Sequence, residues 1–244
     1  MDFELMAESF PKLIAGVPIT LSLVASSLIL GFVFAVILAQ MRLSKSLLLS
    51  KFAYAYVYMF RSTPLLVQIF LIYYGSGQFR ESFESVGLWY FLREPYFCAI
   101  LALTMNTAAY TSEIIRGGIQ SVPWGELEAG RAVGMSGVTL FRRIVFPIAI
   151  RQALPAYGNE IILMVKSTAL ASTITILEVT GIAKKIMAVT FAPMEVFIIA
   201  GVIYLSINFV VTRGIQRIEI KLSPQLYRKR LSGSKPKADE VLAH

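Results

Sequence analysis

From Leu13 to Met41 the chain carries no charged residue. A helix needs about 20 predominantly apolar residues to cross a hydrocarbon core of roughly 30 Å, so this run alone is long enough to span a bilayer. Four further apolar runs follow: Tyr54 to Gly75, interrupted by Arg61; Pro95 to Ser112, ending at Glu113; Ala153 to Leu177, holding Glu160 and Lys166; and Val196 to Thr212. The pattern predicts an all-α polytopic membrane protein of about five transmembrane helices, over residues 13–40, 54–75, 95–115, 153–177 and 195–213. Only 16% of the 244 residues are charged, against roughly a quarter in soluble domains, which leaves too little charge to coat a soluble surface. The segment before the first run holds Asp2, Glu4 and Glu8 ahead of Lys12. That is the wrong sign for a secretory signal, so the first run is expected to be kept as a membrane helix.

Lysine and arginine place the ends. Connections after the second and fourth runs hold few: Arg80 and Arg93, then Lys184 and Lys185. The connection after the first run holds Arg42, Lys45 and Lys51, the one after the third holds Arg116, Arg131, Arg142, Arg143 and Arg151, and the C-terminal segment holds eight. Positive charge gathers on the cytoplasmic side, so the N-terminus is predicted to face outward and the C-terminus the cytoplasm. The net charge of +8 is then a topology and lipid-headgroup signal rather than a nucleic-acid patch. Residues 1–222 form one membrane domain on this reading. Residues 223–244 form a polar basic cytoplasmic tail whose composition predicts no fixed fold.

Between the third and fourth runs, residues 116–151 are too long for a minimal turn. Pro123 suits the first position of a short helix that holds Glu126 and Glu128 and stops at Gly134. Ser136 can cap a second short helix, Val138 to Val145, which Pro147 is expected to end. Val133, Met135, Val138, Leu140 and Phe141 are apolar residues in this cytoplasmic segment. They suit either a hairpin packed on its own spans or a docking knob for a soluble partner.

Glu128-Ala129-Gly130, then Gly134, then Ile144-Val145-Phe146-Pro147 resembles the EAA loop of binding-protein-dependent ABC import permeases. Two positions depart from that pattern: Gly130 stands for its second Ala and Phe146 for its Leu. The substitution at Gly130 is expected to loosen the first short helix by about 1 kcal/mol. The likeness extends along the chain. Phe60-Arg61-Ser62-Thr63-Pro64-Leu65-Leu66-Val67-Gln68, Asn106 to Glu113 with Arg116-Gly117-Gly118-Ile119, and Leu154 to Glu160 with Lys166 to Leu170 are similar to motifs of the polar amino-acid permeases. They are most similar to M-type subunits of histidine/lysine/arginine and octopine/nopaline importers. The resemblance implies a subunit of the bacterial inner membrane. Its partners would be two P-loop ATPase subunits, a second permease chain of Q type and a periplasmic solute-binding protein. It makes Glu128, Ala129, Gly130, Arg131, Gly134, Ile144 and Pro147 candidate ATPase-docking residues.

Two features of the sequence fit those partners. The phosphate-cradling pattern G-x-x-x-x-G-K-[ST] does not occur, so ATP hydrolysis is expected from a separate subunit, and five spans are few to enclose a solute path. Catalytic patterns are missing too: the single histidine is His244 and the single cysteine Cys98, so neither a His-based site nor a metal or cofactor site is expected. Charged groups inside a membrane cost roughly 2.5–3.5 kcal/mol or more and normally face protein or water. Glu160 and Lys166 are six residues apart and not on one helix face, so each is expected to find a partner elsewhere. With Asn106, Thr107, Tyr110, Asn159, Ser167 and Thr168 they are candidates for the translocation path, the same polar groups serving equally as helix-packing glue. Arg61 reads as a structural anchor near a span end, and Glu113 as the i,i+3 partner of Arg116. The alternative function is a gradient-driven secondary transporter or channel subunit, which would show inverted repeats and broken mid-membrane helices.

Overall fold

Residues 2–222 are described by a computed structural model; the basic tail lies outside the described residues. Asp2 caps α1 (Phe3–Ile14), its carboxylate accepting the Leu5 N–H at 3.0 Å. α1 leads into α2 (Val17–Leu43), and the two form one 41-residue apolar stretch. α3 (Leu47–Ser62) and α4 (Leu65–Gln78) follow, then the short α5 (Arg80–Ser85) and α6 (Trp89–Leu92). α7 (Pro95–Gln120) returns through the molecule to α8 (Trp124–Ala132) and α9 (Gly137–Leu140). A π turn, Phe141–Val145, carries the chain into α10 (Phe146–Ser167). The 3-10 segment Thr168–Ile174, α11 (Val179–Thr190) and α12 (Pro193–Leu222) complete the described residues, which contain no strand.

The α1–α2 stretch and α12 are each long and apolar enough to cross a membrane unaided. Two bent pairs reach that standard only together: α3 with α4, and the Gly137–Ile174 stretch with α11. α7 is less apolar, for a packing reason. It is the central helix, touching α2, α3, α4 and α10, so its polar residues meet protein instead of lipid. α2 and α7 pack on each other and bury small residues, among them Ser27, Gly31, Ala35 and Ala39 of α2 and Thr104 and Ala108 of α7. Such residues let membrane helices approach closely. A Cβ on Gly31 would stand 2.3 Å from the Thr107 methyl.

Three local expectations are corrected. Residues 54–75 are not one straight helix, because α3 and α4 meet at 102°. The residue before a proline avoids the helical region, and Thr63 is extended (φ −109, ψ 143) ahead of Pro64. Pro123 is the N-cap of α8 rather than its first residue. Pro147 ends nothing: the Phe146 N–H reaches back five residues to the Phe141 carbonyl, and that widened turn absorbs the proline within a continuous helical path.

Candidate solute groove and docking loop

The bend between α3 and α4 leaves backbone carbonyls without helical partners, a costly state at membrane depth. Gln68 supplies them. Its Nε2 donates to the Phe60 carbonyl at 2.9 Å, the Thr63 carbonyl at 3.1 Å and Thr63 Oγ1 at 2.9 Å. Its Oε1 accepts from Asn106 Nδ2 at 3.0 Å, which ties the bend to α7. Irregular backbone inside a membrane is tolerated where it is buried in protein or lines a cavity, and here it does both.

A cavity of about 460 Å³ opens beside the bend, walled by Arg61 to Leu65, by Asn106 and Tyr110 of α7, and by Glu160, Leu163, Met164 and Ser167 of α10. The α10 residues follow i, i+3, i+4, i+7 spacing and so share one helix face. Glu160 is only 6% exposed and accepts the Thr107 hydroxyl at 2.9 Å. That α7 contact gives the buried carboxylate a polar neighbour on another helix, as its isolation on α10 requires. Arg61 lies with its guanidinium over the Tyr110 ring, 5.2 Å from the centroid.

Asn106, Tyr110, Glu160 and Ser167 are therefore brought together around one cavity. Thr107 and Thr168 are buried behind it; the Thr168 hydroxyl is turned onto the Val165 carbonyl at 2.8 Å. Asn159 and Lys166 are exposed on another face of α10 and do not join the group. Arg61 and Gln68 were not among the candidates. The signal that could have found them is Pro64 inside an apolar run: a forced break needs a polar group near it to satisfy the backbone, and Gln68 is one turn away.

On the loop between α7 and α10, α8 ends in a Schellman motif. Gly134 takes φ +78, its N–H donates to the Arg131 carbonyl, and the Met135 N–H donates to the Gly130 carbonyl. Gly escapes the steric cost of that conformation. Ser136 caps α9 by accepting the Thr139 N–H at 3.4 Å. Glu128 and Arg131 both pack on Trp124: the indole N–H donates to Glu128 at 2.7 Å, and the Arg131 guanidinium sits 5.5 Å from the ring. Gly130 is buried, and a Cβ there would meet Leu140 at 2.4 Å and Ile144 at 2.8 Å. It serves as a contact point for the second short helix, so its cost in helix propensity accompanies close packing. Ile144 thus faces into the loop, whereas Ala129, Val133 (73%) and Val138 (80%) face out. Pro147 is partly buried at the start of α10.

A model of the inner membrane component of binding-protein-dependent transport systems matches residues 13–223. The chain belongs to this family. The permease is 65% identical to the nopaline transport system permease protein NocM of Agrobacterium fabrum over 241 residues, 99% of this chain and 100% of the relative. It is 53% identical over 223 residues to the octopine transport system permease protein OccM of Rhizobium meliloti, covering 91% of each chain. Among solved structures, an amino acid ABC transporter crystallised with histidines superposes with a TM-score of 0.80 at 33% identity, over 91% of this permease and 99% of that chain.

Proposed function

We propose that this permease subunit carries opines or basic amino acids inward across the bacterial inner membrane, driven by ATP hydrolysed on separate subunits. The observation that carries the solute class is the cavity at the α3–α4 bend, where buried Glu160 and the Arg61 guanidinium line one space. A carboxylate suits the cationic group of such a solute and a guanidinium suits its carboxylate. The nearly full-length identity to a nopaline permease supports the same class.

In this reading the five spans are α1–α2, α3–α4, α7, α10 with its 3-10 extension, and α12. The approximate bounds are residues 13–40, 54–75, 95–115, 153–177 and 195–213, with the N-terminus periplasmic and the C-terminus cytoplasmic. A second permease chain, of Q type, completes the path, and a periplasmic solute-binding protein delivers the solute. Two P-loop ATPase subunits sit below. The loop at 116–151 docks one of them through the outward apolar side chains beside Gly134. The helical path from α9 through the π turn into α10 supports a mechanical role, because it joins that loop directly to the helix bearing Glu160 and Ser167. Closure of the ATPases on ATP then tilts one wall of the cavity.

Co-purification from native membranes tests the assembly. An ATPase should be retained by the unmodified chain and lost with Gly134→Asp or Glu128→Lys; its absence beside the unmodified chain would sink the docking role. ATP-dependent uptake of nopaline and of L-arginine into proteoliposomes tests the solute class, and uptake of neither rejects it.

A further inference from the structure

Beyond the cavity at Glu160 lies a second one that shares a wall with it. It measures about 370 Å³ and is lined by Arg42, Tyr54, Val57, Tyr58, Arg61, Ser62, Tyr110 and Glu113. Arg61, Ser62 and Tyr110 border both spaces. The order of the two is set by α7. Asn106, Tyr110 and Glu113 stand at i, i+4, i+7 and share a face, with Asn106 on the first cavity, Glu113 on the second and Tyr110 on both. α7 runs on from Glu113 towards the docking loop, so the second cavity is the cytoplasmic one.

The two cavities differ in their charge balance. The first sets one carboxylate, Glu160, against one guanidinium, Arg61. In the second, Glu113 is already engaged by two guanidinium groups: Arg42 Nε at 3.2 Å and Arg116 Nη2 at 2.6 Å. Arg116 also donates to Gln120 at 2.5 Å, whereas among the described residues Arg42 is held on its other side by the Tyr54 ring alone, 4.9 Å from the centroid. Arg61 has no acidic partner among the described residues. The second cavity therefore holds more cationic than anionic charge, with one arginine unpaired and one attached to a carboxylate that keeps another partner. A carboxylate entering there would gain charge-assisted hydrogen bonds without leaving Glu113 alone.

We propose that this second cavity is a cytoplasm-facing station that binds the carboxylate of the departing solute through Arg42 and Arg61. The proposal rests on the importer reading. Arg61, on the boundary, hands the carboxylate on while Tyr110 forms the shared floor. Such a station separates the pull on the solute's cationic end, at Glu160, from the pull on its anionic end. Neither site then needs to hold the whole solute tightly.

Thiol protection in the assembled transporter, in lipid nanodiscs without nucleotide, reads occupancy directly. Tyr58 lines only the second cavity and is 62% exposed, and the native Cys98 is wholly buried. A thiol introduced by Tyr58→Cys is alkylated with a small maleimide and followed by mass spectrometry of this chain. L-arginine at ten times its dissociation constant should slow labelling about tenfold, because the unoccupied fraction falls as 1/(1 + [L]/Kd). Agmatine, which lacks the carboxylate, should not protect at the same concentration. Protection by arginine should persist with Leu163→Trp, which fills the first cavity, and vanish with Arg42→Gln.

Equal protection by agmatine would overturn carboxylate recognition, and this comparison needs no further variant to fold. Loss of protection with Leu163→Trp would mean that arginine in the first cavity shields the thiol. No protection at all would leave the arginines as a structural ion-pair cluster only. Uptake into proteoliposomes by the unmodified transporter separates the two levels. Uptake without protection rejects the station alone, while no uptake of arginine or nopaline rejects the importer reading and the station with it.

Discussion

Replacing Gln68 by leucine should destabilise the permease far more than an ordinary polar-to-apolar change inside a membrane. The glutamine amide has two N–H donors facing three acceptors: the Phe60 and Thr63 carbonyls and Thr63 Oγ1. At most two strong bonds are therefore made, and a third joins Gln68 Oε1 to Asn106. Interhelical and buried neutral hydrogen bonds in membranes contribute about 0.6–1 kcal/mol each, with unsatisfied carbonyls adding about 1–2 kcal/mol. Asn106 Nδ2 already approaches the Phe60 carbonyl at 3.4 Å and would recover part of the loss. The net expectation is about 3 kcal/mol, equivalent to about 6–12 °C in the unfolding midpoint of a chain this long. Thermal unfolding of the detergent-solubilised permease, followed by size-exclusion chromatography, gives that shift. Val67→Ala, on an exposed neighbour, supplies the baseline. Because Asn106 shares the network, Asn106→Leu and the double variant should show a coupling of about 1 kcal/mol. A Gln68→Leu midpoint within about 2 °C of the parent, or strict additivity with Asn106→Leu, would refute the role assigned to the bend.

Other outcomes are equally definite. Glu160→Gln keeps an acceptor for the Thr107 hydroxyl but removes the charge, so uptake of a cationic solute should fall about tenfold or more in proteoliposomes, with the permease still folded by size exclusion. Gly134→Asn, which tolerates φ +78 better than other side chains, should retain more ATPase on co-purification than Gly134→Val; equal retention would show that the left-handed turn is dispensable. Gly118→Ala places a Cβ 2.8 Å from the Ala149 carbonyl oxygen, and backbone cannot give way as a side-chain tip can. It should lower the unfolding midpoint, whereas Gly117→Ala, with open space around it, should not. Gly31→Ala drives into the Thr107 methyl and should reproduce part of the Glu160→Gln transport defect by displacing the hydroxyl held there.

Much of this permease is legible in the chain because lipid is a simple solvent. Uncharged runs such as Leu13 to Met41 announce helices whatever their partners. Short-range chemistry was legible too: a Gly at position 134 stops α8, and a Ser at 136 starts α9, because caps depend on neighbours a turn away. The local fold of the loop at 116–151 could be read for the same reason, being held together by Gly130, Leu140 and Ile144 over a few residues of sequence.

The groove belongs to the tertiary structure. Glu160 and Thr107 are far apart in sequence and meet only because α7 packs on α10. Polarity alone could not separate Ser167, which reaches the cavity, from Lys166, which turns away from it. The helical period places neighbouring residues on different faces, and which face looks inward depends on where the other helices lie. The same limit governs Arg61. Beside Pro64 it looked like an anchor at a span end, and the 102° bend between α3 and α4 makes it the wall shared by two cavities. A proline tells the chain to break, but the angle of the break and the space it opens are set by packing against α7.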